Sequence, residues 1–196
     1  MKFLRNRSWT EIFVLDVETL EDLDLSDTVV HRLVLRNENA SRTSFRGAHL
    51  GAAHFQDCRL DDTDFTEAML TNSQFYQCSL KNAVFERTHG STFFECDLTG
   101  ATFTGSDLEG NDFTGSTLSD ATFEGTRGLW HPFTILWRVR FNSRTRWGKY
   151  DIPFLTGIAL LSKNALFQIL FVVKTAKISV KDLKQSRANN VTSRKN

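Results

Sequence analysis
From Phe45 to Phe123 an apolar residue recurs at every fifth position, with one interruption. The centres run Phe45, Leu50, Phe55, Leu60, Phe65, Leu70, Phe75, Leu80 and Phe85, then Phe93, Leu98, Phe103, Leu108, Phe113, Leu118 and Phe123. An α-helix turns about 100° per residue, so a step of five would spread these side chains around every face. A strand alternates faces with period two, so an odd step would put successive centres on opposite faces. Neither element gives the pattern a common core. A chain that turns a corner after every five residues does, because each unit becomes one side of a coil and every centre points at the axis. Self-similarity at fixed period is the mark of such a solenoid.

The alternation of Phe and Leu sets the number of sides. Three sides would stack Phe45 on Leu60, whereas four stack Phe45 on Phe65 and Phe85. Four is therefore expected. Two residues before each centre lies a second inward position, filled almost throughout by Ala, Ser, Thr or Cys, as a place beside a corner requires. Two residues after the centre, Gly100, Gly105, Gly110, Gly115, Asp120 and Gly125 suit a turn position of positive φ. The spacing breaks once, around RTHGS at 87–91. Reading the break as a two-residue deletion keeps Phe93 on a Phe side. It also stacks Cys58, Cys78 and Cys96 in successive coils.

The (Ala/Ser/Cys)-x-(Phe/Leu)-x-x phrase, repeated across residues 43–125, resembles the pentapeptide repeat family. The resemblance implies an all-β solenoid, a right-handed four-sided parallel β-helix of about five coils. Leu25, Val30, Leu35 and Ala40 continue the frame upstream. Residues 20–42 are therefore expected to form one degenerate coil and 1–19 an N-terminal cap, the β-helix covering 20–126. Some members of the family look like B-form DNA and bind DNA gyrase or topoisomerase IV, protecting the enzyme from quinolones. That role would need unbroken rows of carboxylates. Here Asp57 stacks over Gln77, Glu95 and Gly115, so the rows are interrupted.

Charge separates the rest of the chain from the repeats. Residues 41–127 are net −7 and residues 128–196 net +11. Such asymmetry indicates separate tasks and an anionic partner for the basic part. Residues 127–190 read as a basic C-terminal extension, with an apolar α-helix over about 154–174 at helical spacing and a disordered tail at 191–196. Trp137, Arg138, Arg140, Arg144, Arg146, Trp147 and Lys149 form the candidate interface. The extension fits a cap on the open end of the solenoid, a homodimer contact through the helix, or docking on an anionic membrane surface. Lys163 in mid-segment opposes spanning. Direct nucleic-acid binding is the weakest reading, since no nucleic-acid module accompanies the charge.

No catalytic motif occurs: there is no P-loop, G-x-G-x-x-G, H-E-x-x-H or G-x-S-x-G. The three cysteines read as core residues rather than a metal or redox centre. His49 and His54 sit on adjacent sides, and Asp61, Asp62 and Asp64 lack the ligand spacing of a calcium loop. The sequence thus points to a non-enzymatic interaction scaffold without cofactor. Its partner is a protein, with a topoisomerase as the family's precedent. Without a secretory signal, and with an odd number of cysteines, the cytoplasm or the inner face of its membrane is the expected location.

Overall fold
The computed structural model describes residues 2–6, 11–15, 19–129, 131, 133–142 and 144–148. Contacts divide the chain into two units, Met1–Asp151 and Ile152–Asn196. The helix expected at 154–174, the tail and Lys149 lie outside the described residues.

Five residues per side fix everything else. At a typical corner the N–H three residues on returns to the centre's carbonyl, as Ala48 N donates to Phe45 O at 3.0 Å. The residue between them has positive φ, +66° at Gly47. Each coil then pairs with the next in parallel register. On side 1 the ladder runs Asp24, Ser44, Asp64, Val84, Thr102, Thr122, Arg146; on side 4 it runs Asn39, Arg59, Ser79, Asp97, Thr117, Arg140. Side 2 pairs Val29, His49 and Met69, then His89, Asp107 and Arg127.

Regular strands run along side 3, the last two starting on side 2: β3 (Leu33–Arg36), β4 (His54–Gln56), β5 (Met69–Tyr76) and β6 (His89–Phe94). They are parallel, with Leu35, Phe55, Phe75 and Phe93 in register. Two further strands, β1 (Lys2–Asn6) and β2 (Glu11–Leu15), form an antiparallel pair that extends the sheet beyond β3 in the order β2-β1-β3-β4-β5-β6. This hairpin occupies the edge that β3 would otherwise leave unpaired.

The core is two columns of phenylalanine. Successive rings within a column stack at 4.6–5.3 Å with planes within 13°, and the two columns meet edge to face at 5.1–6.3 Å. The coil spacing of about 4.8 Å imposes the stacking. Both geometries suit the ring quadrupole. All sixteen repeat centres from Phe45 to Phe123 are 1% exposed or less. The small inward position has a polar use. The centre's carbonyl already accepts the turn N–H, and its other lone pair takes a hydroxyl from the coil below. Thr63 donates to Ala40 O at 3.1 Å and Ser73 to Leu50 O at 2.8 Å; at the corner after side 3, Ser116 donates to Phe93 O at 2.8 Å and itself accepts the Cys96 N–H at 3.0 Å. Ser and Thr thus satisfy a buried carbonyl while remaining small.

The shortened coil lies where the sequence places it. Phe75 pairs with Phe93, two residues short of the usual twenty. The side 2 centre there is Gly90, with φ +77°, and a Cβ on it would stand 3.2 Å from the Thr71 Cα. The corner is two residues shorter, and the chain runs from side 2 into side 3 as one strand, β6, as β5 does one coil above.

The end of the β-helix differs from the expected boundary at 126. The ladder continues through Arg127, Ile135, Arg140 and Arg146, adding a coil. Leu136 takes the place below Phe113, Phe141 that below Leu118, and Trp147 stacks on Phe123 at 5.2 Å and 7°. Thr134 and Thr145 keep the carbonyl bond, donating to Leu108 O and Leu118 O at 2.8 Å.

Candidate interaction surface
Among the described residues the interior offers no reactive group. Cys58, Cys78 and Cys96 are free, buried thiols one above another in the small inward position of side 4. Each sulfur donates to backbone: Cys58 to Gln56 O at 3.3 Å, Cys78 to Tyr76 O at 3.4 Å, Cys96 to Phe75 O at 3.4 Å. Contact with Cys78, then burial, pushes the Cys58 thiol up. For Cys78 the bond with Cys58 pulls down, but Cys96 and burial prevail and push it up to about 12. Thiols held protonated are poor nucleophiles and poor metal ligands. Among the described residues no group of three or more His, Cys, Asp or Glu could hold a metal, and no helix is long and apolar enough to cross a membrane.

The acidic cluster is also structural. Asp61 accepts from Ser79 Oγ at 2.5 Å, Lys81 N at 3.1 Å and Arg59 Nε at 3.0 Å. Partial burial opposes ionisation of Asp61, but these bonds outweigh it and hold the carboxyl below its usual range. Asp62 accepts from Asn82 at 3.0 Å, and Asp64 from Thr66 N at 2.7 Å. His49 and His54 are not brought together: His49 lies against His31, ring centroids 5.9 Å apart, and His54 Nδ1 is 3.2 Å from Gln74 Oε1.

Of the described basic residues from Arg127 onward, most are committed within the fold. Arg144 forks onto Asp120 at 2.5 and 2.9 Å, Arg146 meets Glu124 at 3.5 Å, and Arg127 meets Asp107 at 3.5 Å. Arg140 donates to Thr117 Oγ1 at 2.9 and 3.1 Å. A hydrogen bond from Asn142, then the Arg144 guanidinium, hold Asp120 below the usual carboxylate range. The basic last coil thus neutralises the acidic coil above it. Trp147 is in the stack, whereas Trp137 and Arg138 face solvent.

What remains is an uneven outer surface. From Val29 to Phe94 the outward mid-side positions of sides 2 and 3 carry no Asp or Glu. They hold His31, His49, His54 and His89 beside exposed Val29, Met69 and Tyr76. Tyr76 and Phe94 stack on the outside of β5 and β6 at 5.2 Å and 3°. On sides 1 and 4 the same coils carry Asp24, Asp61, Asp64 and Glu86 with Arg46, Arg59 and Lys81. The Tyr76–Phe94 pair was not singled out from the sequence. The signal was there, since each residue follows a side 3 centre and the deletion frame makes those centres neighbours.

Residues 48–87 and 91–127 match the model of the family described as pentapeptide repeats, in 8 copies. No curated protein matches the chain in sequence. Among solved structures it is similar to HetL of the cyanobacterium Nostoc sp., a pentapeptide repeat protein involved in heterocyst differentiation regulation. The two share 19% identity and a TM-score of 0.41 over 61% of this chain and 66% of that protein, just under two thirds of its length. It is also similar to Rfr23 of the cyanobacterium Cyanothece, at 16% identity and TM-score 0.38 over 64% of this chain and 88% of that one. QnrB1, a plasmid-mediated fluoroquinolone resistance protein, follows at 18% identity and TM-score 0.36, covering 65% and 83%. With its Phe/Leu alternation, its four-sided coils and these matched repeats, the stretch 48–87 and 91–127 is a pentapeptide-repeat region.

Proposed function
We propose that this protein is a non-enzymatic interaction scaffold that recognises a protein partner through sides 2 and 3 of its β-helix. The observation that carries the reading is the charge contrast between the two pairs of sides. Sides 1 and 4 hold charged groups of both signs, many engaged in pairs within or between coils. Between Val29 and Phe94, sides 2 and 3 present a surface of His, Met and aromatic residues on a rigid sheet, with Arg36 the one Lys, Arg, Asp or Glu at its outward mid-side positions. Aromatic residues and Met are enriched, and charges depleted, in the centres of protein interfaces. A topoisomerase-directed DNA mimic is less well supported, because its carboxylate rows would be interrupted and partly neutralised by Arg42, Arg87, Arg127, Arg144 and Arg146. The segment at 154–174 remains, on this reading, a docking element for a membrane or a second chain.

The test is comparative capture from the source cells with tagged protein. Tyr76→Asp with Met69→Asp on sides 3 and 2 is expected to lose bound partners. Lys81→Glu with Glu86→Lys on sides 4 and 1 is expected to keep them. The opposite pattern would refute the assignment. A supercoiling assay with DNA gyrase is expected to show neither inhibition nor drug protection.

A further inference from the structure
Folded about their midpoint, the outward rows of side 3 bring residues of compatible chemistry opposite one another. One row runs Val34, His54, Gln74, Thr92, Asp112, Ile135 down the successive rungs. Its midpoint falls between Gln74 and Thr92. Folding the row about that point places Val34 on Ile135 and His54 on Asp112. In the parallel row the same fold places Tyr76 on Phe94, Gln56 on Thr114 and Arg36 on Trp137. Apolar meets apolar, base meets acid, and ring meets ring.

We propose that side 3 is a self-recognition surface on which two copies of this chain pack face to face, coil axes antiparallel. The two-fold axis lies in the interface, along the strands between β5 and β6. This operation reverses the order of the rungs but keeps each row opposite itself, so every match occurs twice, as an isologous contact demands. His54 meets a carboxylate of the second copy, while the next coil offers Gln74 as a hydrogen-bond neighbour at 3.2 Å. Asp112 already accepts from Thr114 N and Oγ1 at 2.8 and 2.6 Å, which fixes its carboxylate and leaves lone pairs for a partner. Ile135 is 44% exposed and Tyr76 37% exposed, so both have surface to lose. Six rungs and five residues per side give a face of about 24 Å by about 16 Å, or roughly 400 Å² for each copy. With about 800 Å² buried in total, that is below the range of stable interfaces, so the dimer is a weak, transient one.

The proposal rests on the reading of side 3 as an interaction surface and names a second copy as its occupant. Sedimentation equilibrium of the full chain at about 5–200 μM tests it in that micromolar range. The mass is expected to rise from 22.4 kDa towards twice that value. Phe94→Asp is expected to hold the protein at monomer mass. His54→Asp puts two carboxylates face to face and is expected to weaken association about tenfold. His54→Asp with Asp112→His restores the pairing and is expected to recover it. Unchanged melting temperatures show that these outward substitutions leave the fold intact. A mass of 22.4 kDa at every concentration would overturn the proposal. So would a dimer indifferent to Phe94→Asp, or a double variant no tighter than the single. A monomer that still loses partners on Tyr76→Asp with Met69→Asp would remove the self-recognition and keep the scaffold reading.

Discussion

At the residue scale, the two inward positions of each unit do different work, and substitutions should separate them. Phe75 touches rings above, below and across the core. Phe75→Ala is expected to cost about 3–5 kcal/mol in urea denaturation, because stacked coils cannot collapse into the void. Tyr76→Ala, one residue away but outward, is expected to stay within about 1 kcal/mol. Glycines divide by what surrounds them. Gly110 and Gly128 have φ of +76° and +72°, yet a Cβ on Gly110 meets nothing within 4 Å, whereas one on Gly128 would lie 2.3 Å from Glu109 N. Gly110→Ala should therefore show only the left-handed cost of about 1–2 kcal/mol, and Gly128→Ala clearly more, in thermal melts. The cysteine column should be silent to an aromatic disulfide reagent at pH 8 in the native state, reacting at the rate of unfolding. Prompt labelling of Cys78 would contradict its burial and raised pKa. The inward centres were legible because each must be apolar and one of each kind. The Ser and Thr bonds were legible only as smallness; their partner, a carbonyl one coil up, becomes visible once the coil closes.

At the scale of the element, the informative parts are the two irregular coils. The short coil was readable because Phe and Cys columns both keep register across it. The last coil was not. Its centres step by eight residues from Gly128 to Leu136 and by six from Phe141 to Trp147. It also exchanges the residue types, with Leu on a Phe side and Phe on a Leu side. Extra residues at corners cost little when they loop outward, so the ladder tolerates them, but they erase the period. The coil's attachment is partly ionic, which gives it a pH signature. Because Asp120 is held below its usual range in the folded state, its bonds to Asn142 and Arg144 stabilise at neutral pH. That contribution is lost as pH falls through the carboxyl range, below about 4. Asp120→Asn is accordingly expected to lower the melting temperature at pH 7 and to leave it nearly unchanged at pH 3. Equal effects at both would show that the pairing contributes nothing.

Across the molecule, the stack from Leu20 to Trp147 is a rod with chemistry excluded from its inside, so its work falls to its sides. Net charge was a poor guide to which side. The +11 of residues 128–196 pointed to the basic extension, but among its described residues Arg140, Arg144 and Arg146 serve the coil above them, as Arg127 does just before it. Charge read along a sequence counts residues that face solvent and residues that face each other alike; only the coil register tells them apart. The direct test is amide hydrogen exchange on the full chain. The ladder amides of Ile135, Arg140 and Arg146 are expected to be protected together with those of Phe103, Phe113 and Phe123, as one block. Rapid exchange throughout 127–148 beside a protected 43–126 would contradict the added coil and free its arginines for an external partner.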